Sequence, residues 1–293
     1  MRSGILLVDK PTDWTSFDVV AKLKGVFHTG RIGHSGTLDP LATGLLVLFI
    51  GRATRAVEFA EAQEKRYIAS FRPGTVTDTQ DITGSVLSRM PFEGGIEDIR
   101  RAAEFQSGQI MQVPPMYSAI KINGQRLYDI ARKGNTVERE PRKITVFSNK
   151  VTGVTEEGDY ILDITCSKGT YIRTVCNDMG EYLGCGGCMS ALRRVSAGNF
   201  SVEDAHSIEE ICAIAEEGRA EELLLGVDSL FSHLGRMTVN ESAEKKLRCG
   251  SSLKACGDIS GRLRVYSQSG EFLALSEVVD GRIVTIKSFF EVG

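Results

Sequence analysis

The run GLLVLFIG at residues 44–51 constrains the fold more than any other stretch of this chain. It is unbroken by polar side chains and bounded by glycine at both ends. It is far shorter than the roughly 20 residues a helix needs to cross a bilayer. Such a run reads as a β-strand buried on both faces. Directly before it lies a polar loop punctuated by Gly30, Gly33 and Gly36, where the backbone is free to take φ > 0 or to approach a ligand closely. Asp39 precedes Pro40, which pushes its backbone toward an extended or turn conformation. A lone carboxylate on a tight turn at the mouth of a buried strand is a plausible reactive group, because loops held by a rigid scaffold carry much catalysis. The ordinary alternative is that Asp-Pro is simply a turn former.

The rest of the chain reads as alternating strands and helices. GILLVD (4–9) predicts a strand, and Ser16 is placed as the N-cap of a helix with Phe17, Val20, Leu23 and Phe27 as its apolar stripe. Ala53, Ala56, Val57 and Ala60 predict a helix packed on the sheet. Tyr67 falls in a predicted strand, where a half-buried aromatic is expected. TDTQD (77–81) reads as a loop, 84–90 as a strand and 96–106 as a helix. Asn123-Gly124 signals a turn, and Leu127, Ile130 and Ala131 a short helix ending near Gly134. Two long strands are expected at 143–154 and 159–167. Ile172, Cys176, Met179 and Leu183 form the stripe of a helix. Arg173 lies off that stripe in the first turn, where the helix dipole disfavours a cation, so another group should hold it. An acidic helix is expected at 203–222, and short strands with glycine turns from 236 to 293.

Hydrophobic content of 42% and charged content of 25% are those of an ordinary soluble globular protein, and the formal charge of −3 gives no global nucleic-acid signal. The distribution is more telling. Residues 116–143 carry seven Lys/Arg against three Asp/Glu, 243–264 carry six against two, and 203–222 carry eight acids against one arginine. Basic patches on one side suit a polyanion, although solvated faces give the same counts. In 116–143 the cations are interleaved with Tyr117 and Tyr128, as an RNA surface requires: phosphates need cations and unstacked bases need flat partners. There is no apolar run of 18 residues, and the opening MRSGILLVDKP is too short in its apolar part for a secretory signal, so a cytoplasmic location is expected. Seven cysteines without framework spacing suggest reduced thiols. The single CxxC at Cys185 and Cys188 is read as a pair of small buried thiols rather than a zinc site.

GHSGTLDPLATGLLVLFIGRATR (33–55) resembles the catalytic-aspartate motif of the tRNA pseudouridine-55 synthase family. The same family is resembled by GILLVDKPTDWTSFDVV, the KRY element at Tyr67, SKGTYIRT around Arg173 and MSALRRVSAGNF at 189–200. The motifs cover roughly residues 4–200. The CGGCM region departs from the histidine that many members carry there. The resemblance implies an α+β pseudouridine synthase fold, with a mixed, largely antiparallel central sheet flanked by helices. It implies a catalytic domain at 1–232 with an RNA-clamping thumb near 116–142, and a small β-rich PUA-like RNA-binding domain at 233–293.

The activity implied is isomerisation of uridine 55 in the T loop of tRNA, with no cofactor and no metal. Asp39 would be the essential carboxylate, Tyr67 would stack on the base, and Arg173 would pair with Asp39. Leu192 would line the base pocket, and His34 would occupy or brace the space left by the flipped base. Lys10 is either a phosphate contact or a buried structural lysine. Tyr171, Arg193 and Arg194 are further substrate-side residues, the two arginines reaching for phosphate. The partner implied is the T stem-loop of tRNA, met by a monomer without an obligatory protein partner or a membrane. Other readings are the catalytic subunit of an RNA-guided synthase complex and a tRNA-binding folding chaperone with secondary catalysis.

Overall fold

The computed structural model describes residues 3–118, 120–122, 124–255 and 259–290, with Arg126 described by its backbone alone. β1 (Gly4–Lys10) leads into α1 (Ser16–Val26), then β2 (Ile32–His34) and β3 (Thr43–Ile50). A 3-10 turn at Gly51–Ala56 runs on into α2 (Val57–Glu61) and β4 (Lys65–Pro73). The hairpin of β5 (Thr75–Thr77) and β6 (Val86–Arg89) precedes α3 (Ile96–Phe105) and β7 (Gly108–Gln112). Between β7 and the next long strand lie β8 (Lys121–Ile122), β9 (Gln125–Arg126) and α4 (Leu127–Ala131). Asn123 of the predicted turn lies outside the described residues, while Gly124 takes φ +82° between the two paired strands. β10 (Arg142–Val154), β11 (Tyr160–Cys166), α5 (Ile172–Leu183), β12 (Gly187–Ala197), β13 (Phe200–Ser201) and α6 (Ile208–Glu216) follow. The chain ends in β14 (Gly235–Thr238), α7 (Glu241–Arg248), β15 (Leu253–Lys254), β16 (Arg262–Tyr266), β17 (Phe272–Val279) and β18 (Arg282–Ser288).

Among the described residues, nine strands form one mixed sheet, ordered β1-β3-β12-β4-β11-β10-β7 with β2 and β13 at its margins. Only the β3–β12 pairing is parallel. β3 is buried on both faces, as its sequence demands. Leu45, Val47 and Phe49 pack with Ala53, Ala56 and Ala60, while Leu46, Leu48 and Ile50 pack with Val19, Val20 and Leu23 of α1 and Ile211 of α6. The other half of the sheet is covered by α3 and α5, through Ile99, Ala102, Val175 and Met179. Gly44 decides the junction. It takes φ +95°, and a Cβ there would lie 2.3 Å from the Arg194 carbonyl oxygen. Only glycine lets β3 and β12 meet with Gly44 opposite Arg194.

Three local expectations are corrected. The N-cap of α1 is Thr15, in a capping box with Asp18, and Ser16 is turned into the interior instead. Of the predicted α1 stripe, Val20, Leu23 and Phe27 are buried, with Val19 beside them, whereas Phe17 is 70% exposed. The acidic stretch 203–222 is not one helix. Its helical core α6 is flanked by 3-10 turns at Val202–Asp204 and Ala220–Leu223, and Gly218 at φ +77° breaks it.

A second sheet, ordered β14-β16-β17-β18-β15, has its own core of Val239, Leu247, Leu263, Val265 and Ile283. It is joined to the large sheet through Phe59, Phe231, Phe272 and Phe289, and the Tyr266 hydroxyl donates to Asp228 Oδ2 at 2.7 Å. The Gly44→Ala substitution is expected to lower unfolding stability by about 3 kcal/mol, since it combines a backbone clash with a strained φ. Denaturant unfolding of the purified variant measures this; an unchanged midpoint would contradict the close β3–β12 approach.

Candidate active site

Residues 35–42 connect β2 to β3, and the surrounding protein fixes them at several points. Arg194 Nη2 donates to the Gly36 carbonyl at 3.1 Å. The Ser16 hydroxyl donates to the Leu38 carbonyl at 3.0 Å and accepts from the Leu38 amide at 2.8 Å. The Asp13 amide donates to the Pro40 carbonyl at 2.9 Å, and Lys10 Nζ approaches the same oxygen at 3.4 Å. Asp39 is thereby held from both sides.

The Asp39 carboxylate meets Arg173, whose Nε lies 3.0 Å from Asp39 Oδ2. The arginine expected to need a partner has several. Its Nη1 donates to the Thr79 carbonyl at 3.1 Å and lies 3.4 Å from Asp81 Oδ2, and its Nη2 donates to the Tyr117 carbonyl at 2.8 Å. Asp39 is half-buried, whereas Arg173 and Asp81 are buried. Burial pushes the Asp39 carboxyl above its ordinary range. Arg173 pulls it down, Asp81 pushes it up again, and Lys10 pulls it down. The pair opens on a cavity of about 270 Å³ also lined by Tyr67, Tyr171, Leu192, Arg194 and Lys65. Ligand cavities run from about 300 to 1,000 Å³, so this one suits a single nucleoside-sized group.

The sequence-predicted residues fall into distinct places. Tyr67 is more deeply buried than a half-buried strand tyrosine. It sits opposite Arg194 across β4 and β12, and burial raises its phenol above the ordinary value while the Arg194 charge pulls it down. Leu192 and Tyr171 line the cavity. Lys10 is fully buried and donates to the Pro11 and Trp14 carbonyls at 2.8 and 2.6 Å; desolvation lowers its pKa to about 8. Arg194 is 2% exposed, with Nε donating to the Leu45 carbonyl at 2.6 Å, so it does not reach for phosphate from the surface. Arg193 is half-exposed and holds Asp9 through two hydrogen bonds, at 3.0 and 2.7 Å. His34 stands at the end of β2, accepts from the Gly36 amide at 3.3 Å through Nδ1, and is not among the residues lining the cavity. Burial and Arg194 lower its pKa.

Sequence reasoning missed Asp81, read as part of a polar loop. The hydroxyls of Thr79 and Thr83 donate to its Oδ1 at 2.9 and 2.5 Å, and the Thr83 amide does so at 3.0 Å. The threonines at 77, 79 and 83 around one acid were the available signal. Arg194 was expected on the substrate side; the signal for its burial was the period, since it shares a β12 face with Leu192. Among the described residues, no group of His, Cys, Asp and Glu could hold a metal ion.

Residues 24–172 match the family model described as TruB family pseudouridylate synthase (N terminal domain), and 173–235 match that of the tRNA pseudouridylate synthase B C-terminal domain. The chain belongs to the TruB family of pseudouridylate synthases. This TruB-family chain is 37% identical over 292 residues to the tRNA pseudouridine synthase B of Clostridium kluyveri, covering 98% of the chain and 99% of that relative. It is 40% identical over 275 residues to the protein of the same name from Aromatoleum aromaticum, covering 94% and 88%. Its fold is also that of a chain in the solved Cbf5-Nop10-Gar1 complex, with a TM-score of 0.73 at 23% identity, over 98% of this chain and 85% of the other. As a member of the TruB family it is an isomerase.

The charge balance around Asp39 sets an expected pH response. If ionised Asp39 is the working form, the rate falls as pH drops through a midpoint above the ordinary carboxylate value of about 4. Arg173→Gln removes the cation that favours the ionised form, so that midpoint moves higher still. Single-turnover rates measured against pH check both; an acid limb unmoved by Arg173→Gln would refute the coupling.

Proposed function

We propose that this chain converts uridine 55 in the T loop of tRNA to pseudouridine. The observation that carries the reading is the Asp39–Arg173 pair, 3.0 Å apart, at a nucleoside-sized cavity walled by Tyr67 and Leu192. The relatives above, named tRNA pseudouridine synthase B, support tRNA as substrate. The reaction breaks the N1–C1′ bond of uridine and forms a C5–C1′ bond. The C5 proton leaves and N1 gains one, so atoms balance without a cofactor.

Each residue has a part in this scheme. Asp39 acts at the ribose, either as nucleophile at C1′ or as base at C2′, and Arg173 aims its carboxylate. Tyr67, kept neutral by burial, offers an aromatic surface to the base, with Leu192 as an apolar neighbour. The uridine must leave its loop stack, at a cost of a few kcal/mol. A hollow of about 430 Å³ adjoins the cavity and is lined by Arg142, Lys143 and Lys168, cations suited to flanking phosphates. Residues 116–142 serve as the thumb on the RNA stem, and residues 233–293 as a second, PUA-like RNA-binding surface attached to the catalytic domain at 1–232. The enzyme acts as a monomer in the cytoplasm and without a guide RNA. The complex with protein partners resembles it in fold alone, while the relatives alike in sequence carry the tRNA name.

Tritium release from C5-tritiated uridine in unmodified tRNA tests the proposal. The wild type is expected to release tritium with no added cofactor. Asp39→Asn should lower the rate by at least about 10⁴-fold, the loss expected of an essential catalytic group. Its tRNA affinity should stay within about threefold, because phosphate contacts dominate binding. A wild type that binds tRNA without releasing tritium would overturn it.

A further inference from the structure

Two buried side chains grip the backbone next to the Asp39–Arg173 pair in the same unusual way. Ser16 is 2% exposed, and its hydroxyl serves both the amide and the carbonyl of Leu38, the residue before Asp39. Gln112 is also 2% exposed. Its Nε2 donates to the Tyr171 carbonyl at 3.0 Å and its Oε1 accepts from the Tyr171 amide at 2.8 Å. Tyr171 is the N-cap of α5 and stands two residues before Arg173. Each clamp reproduces the paired N–H and C=O exchange of an antiparallel ladder, but one partner is a side chain. Loop and helix-start backbone are normally the freest parts of a fold; here each is gripped by a buried side chain at the residue next to, or two before, a charged partner of the pair.

We infer that Ser16 and Gln112 are positioning residues for the isomerisation, Ser16 setting the reach of Asp39 and Gln112 setting that of Arg173. Neither lines the cavity, so neither is placed to touch substrate. Both act through the ion pair, whose geometry sets how far Arg173 favours ionised Asp39. Gln112 closes β7, at the point where the chain leaves the sheet for 113–141. The clamp therefore stands at the root of that insertion.

The inference rests on the reading above, and the experiment separates the two. Tritium release under single-turnover conditions is measured for wild type, Ser16→Ala, Ser16→Thr, Gln112→Met and the isosteric Gln112→Glu, each across pH, with affinity for a T stem-loop RNA and thermal melting in parallel. Misplacement near 1 Å costs on the order of 100-fold, so Ser16→Ala and Gln112→Met should lose from about tenfold to that amount in rate. RNA affinity should be unchanged. Their acid limbs should move to higher pH, because a misplaced Arg173 holds the Asp39 carboxyl down less. Ser16→Thr, which keeps the hydroxyl, should restore rate and limb. Gln112→Glu keeps the acceptor and loses the donor, and should lie between wild type and Gln112→Met. Should Ser16→Ala fail to melt cooperatively, the Gln112→Glu profile decides alone. Lowered melting temperature with an unmoved acid limb would overturn the inference, as would a loss confined to RNA affinity. A wild type without tritium release would instead overturn the reading on which it rests.

Discussion

A carboxylate and a guanidinium drawn out of water each lose several kcal/mol of hydration before they attract one another. The Asp39–Arg173 pair carries that cost, and much of the architecture offsets it. Arg173 is shielded from solvent yet well supplied: two carboxylates and two backbone carbonyls face its N–H groups. Asp81 is in turn held by threonine hydroxyls and an amide. Of the two acids on Arg173, Asp39 keeps partial access to the cavity, where burial pushes its carboxyl above the ordinary range. Removing a partner from such a network leaves a charge uncompensated, which explains why groups outside the cavity bear on what happens inside it.

The central sheet provides the geometry. The parallel pairing of β3 and β12 brings the end of the 35–42 loop beside Leu192 and Arg194, and the antiparallel pairing of β12 and β4 sets Tyr67 against Arg194. Arg194 joins the two pairings: it holds the Gly36 and Leu45 carbonyls and stands opposite Tyr67 in the β12–β4 register. A fully buried arginine would be expensive if these groups were not fixed in advance.

Much of this was legible in the sequence. The run at 44–51 reads as a doubly buried strand, and the helices at 96–106 and from 172 show apolar residues at helical spacing. Glycine and proline chemistry made Asp39 one plausible group and the family resemblance made it the candidate, while Arg173 drew notice because a cation at a helix start needs a reason. What stayed hidden depends on tertiary partners. Ser16 looked like a cap because serine caps helices well, and nothing local shows that Thr15 takes that role and frees its hydroxyl for Leu38. Arg194 looked solvent-facing because most basic residues are, and its burial depends on the Leu45 and Gly36 carbonyls, far away in the chain; Lys10 stayed open between a phosphate contact and a buried structural lysine, although the Pro11 and Trp14 carbonyls that hold it lie close by in sequence. Asp81 sat among hydroxyl residues in what reads as a turn, and its partner lies more than ninety residues further along the chain.

The Tyr117 carbonyl on Arg173 has an evolutionary consequence. The first residues of the insertion between β7 and β10 form part of the coordination of the Arg173 guanidinium. The insertion is therefore not a detachable module. A deletion reaching residue 117 strips Arg173 of a partner, whereas changes in the outer part of the insertion leave that contact in place. Length variation among relatives should gather beyond residue 118, with a root of fixed spacing from Gln112 to Tyr117.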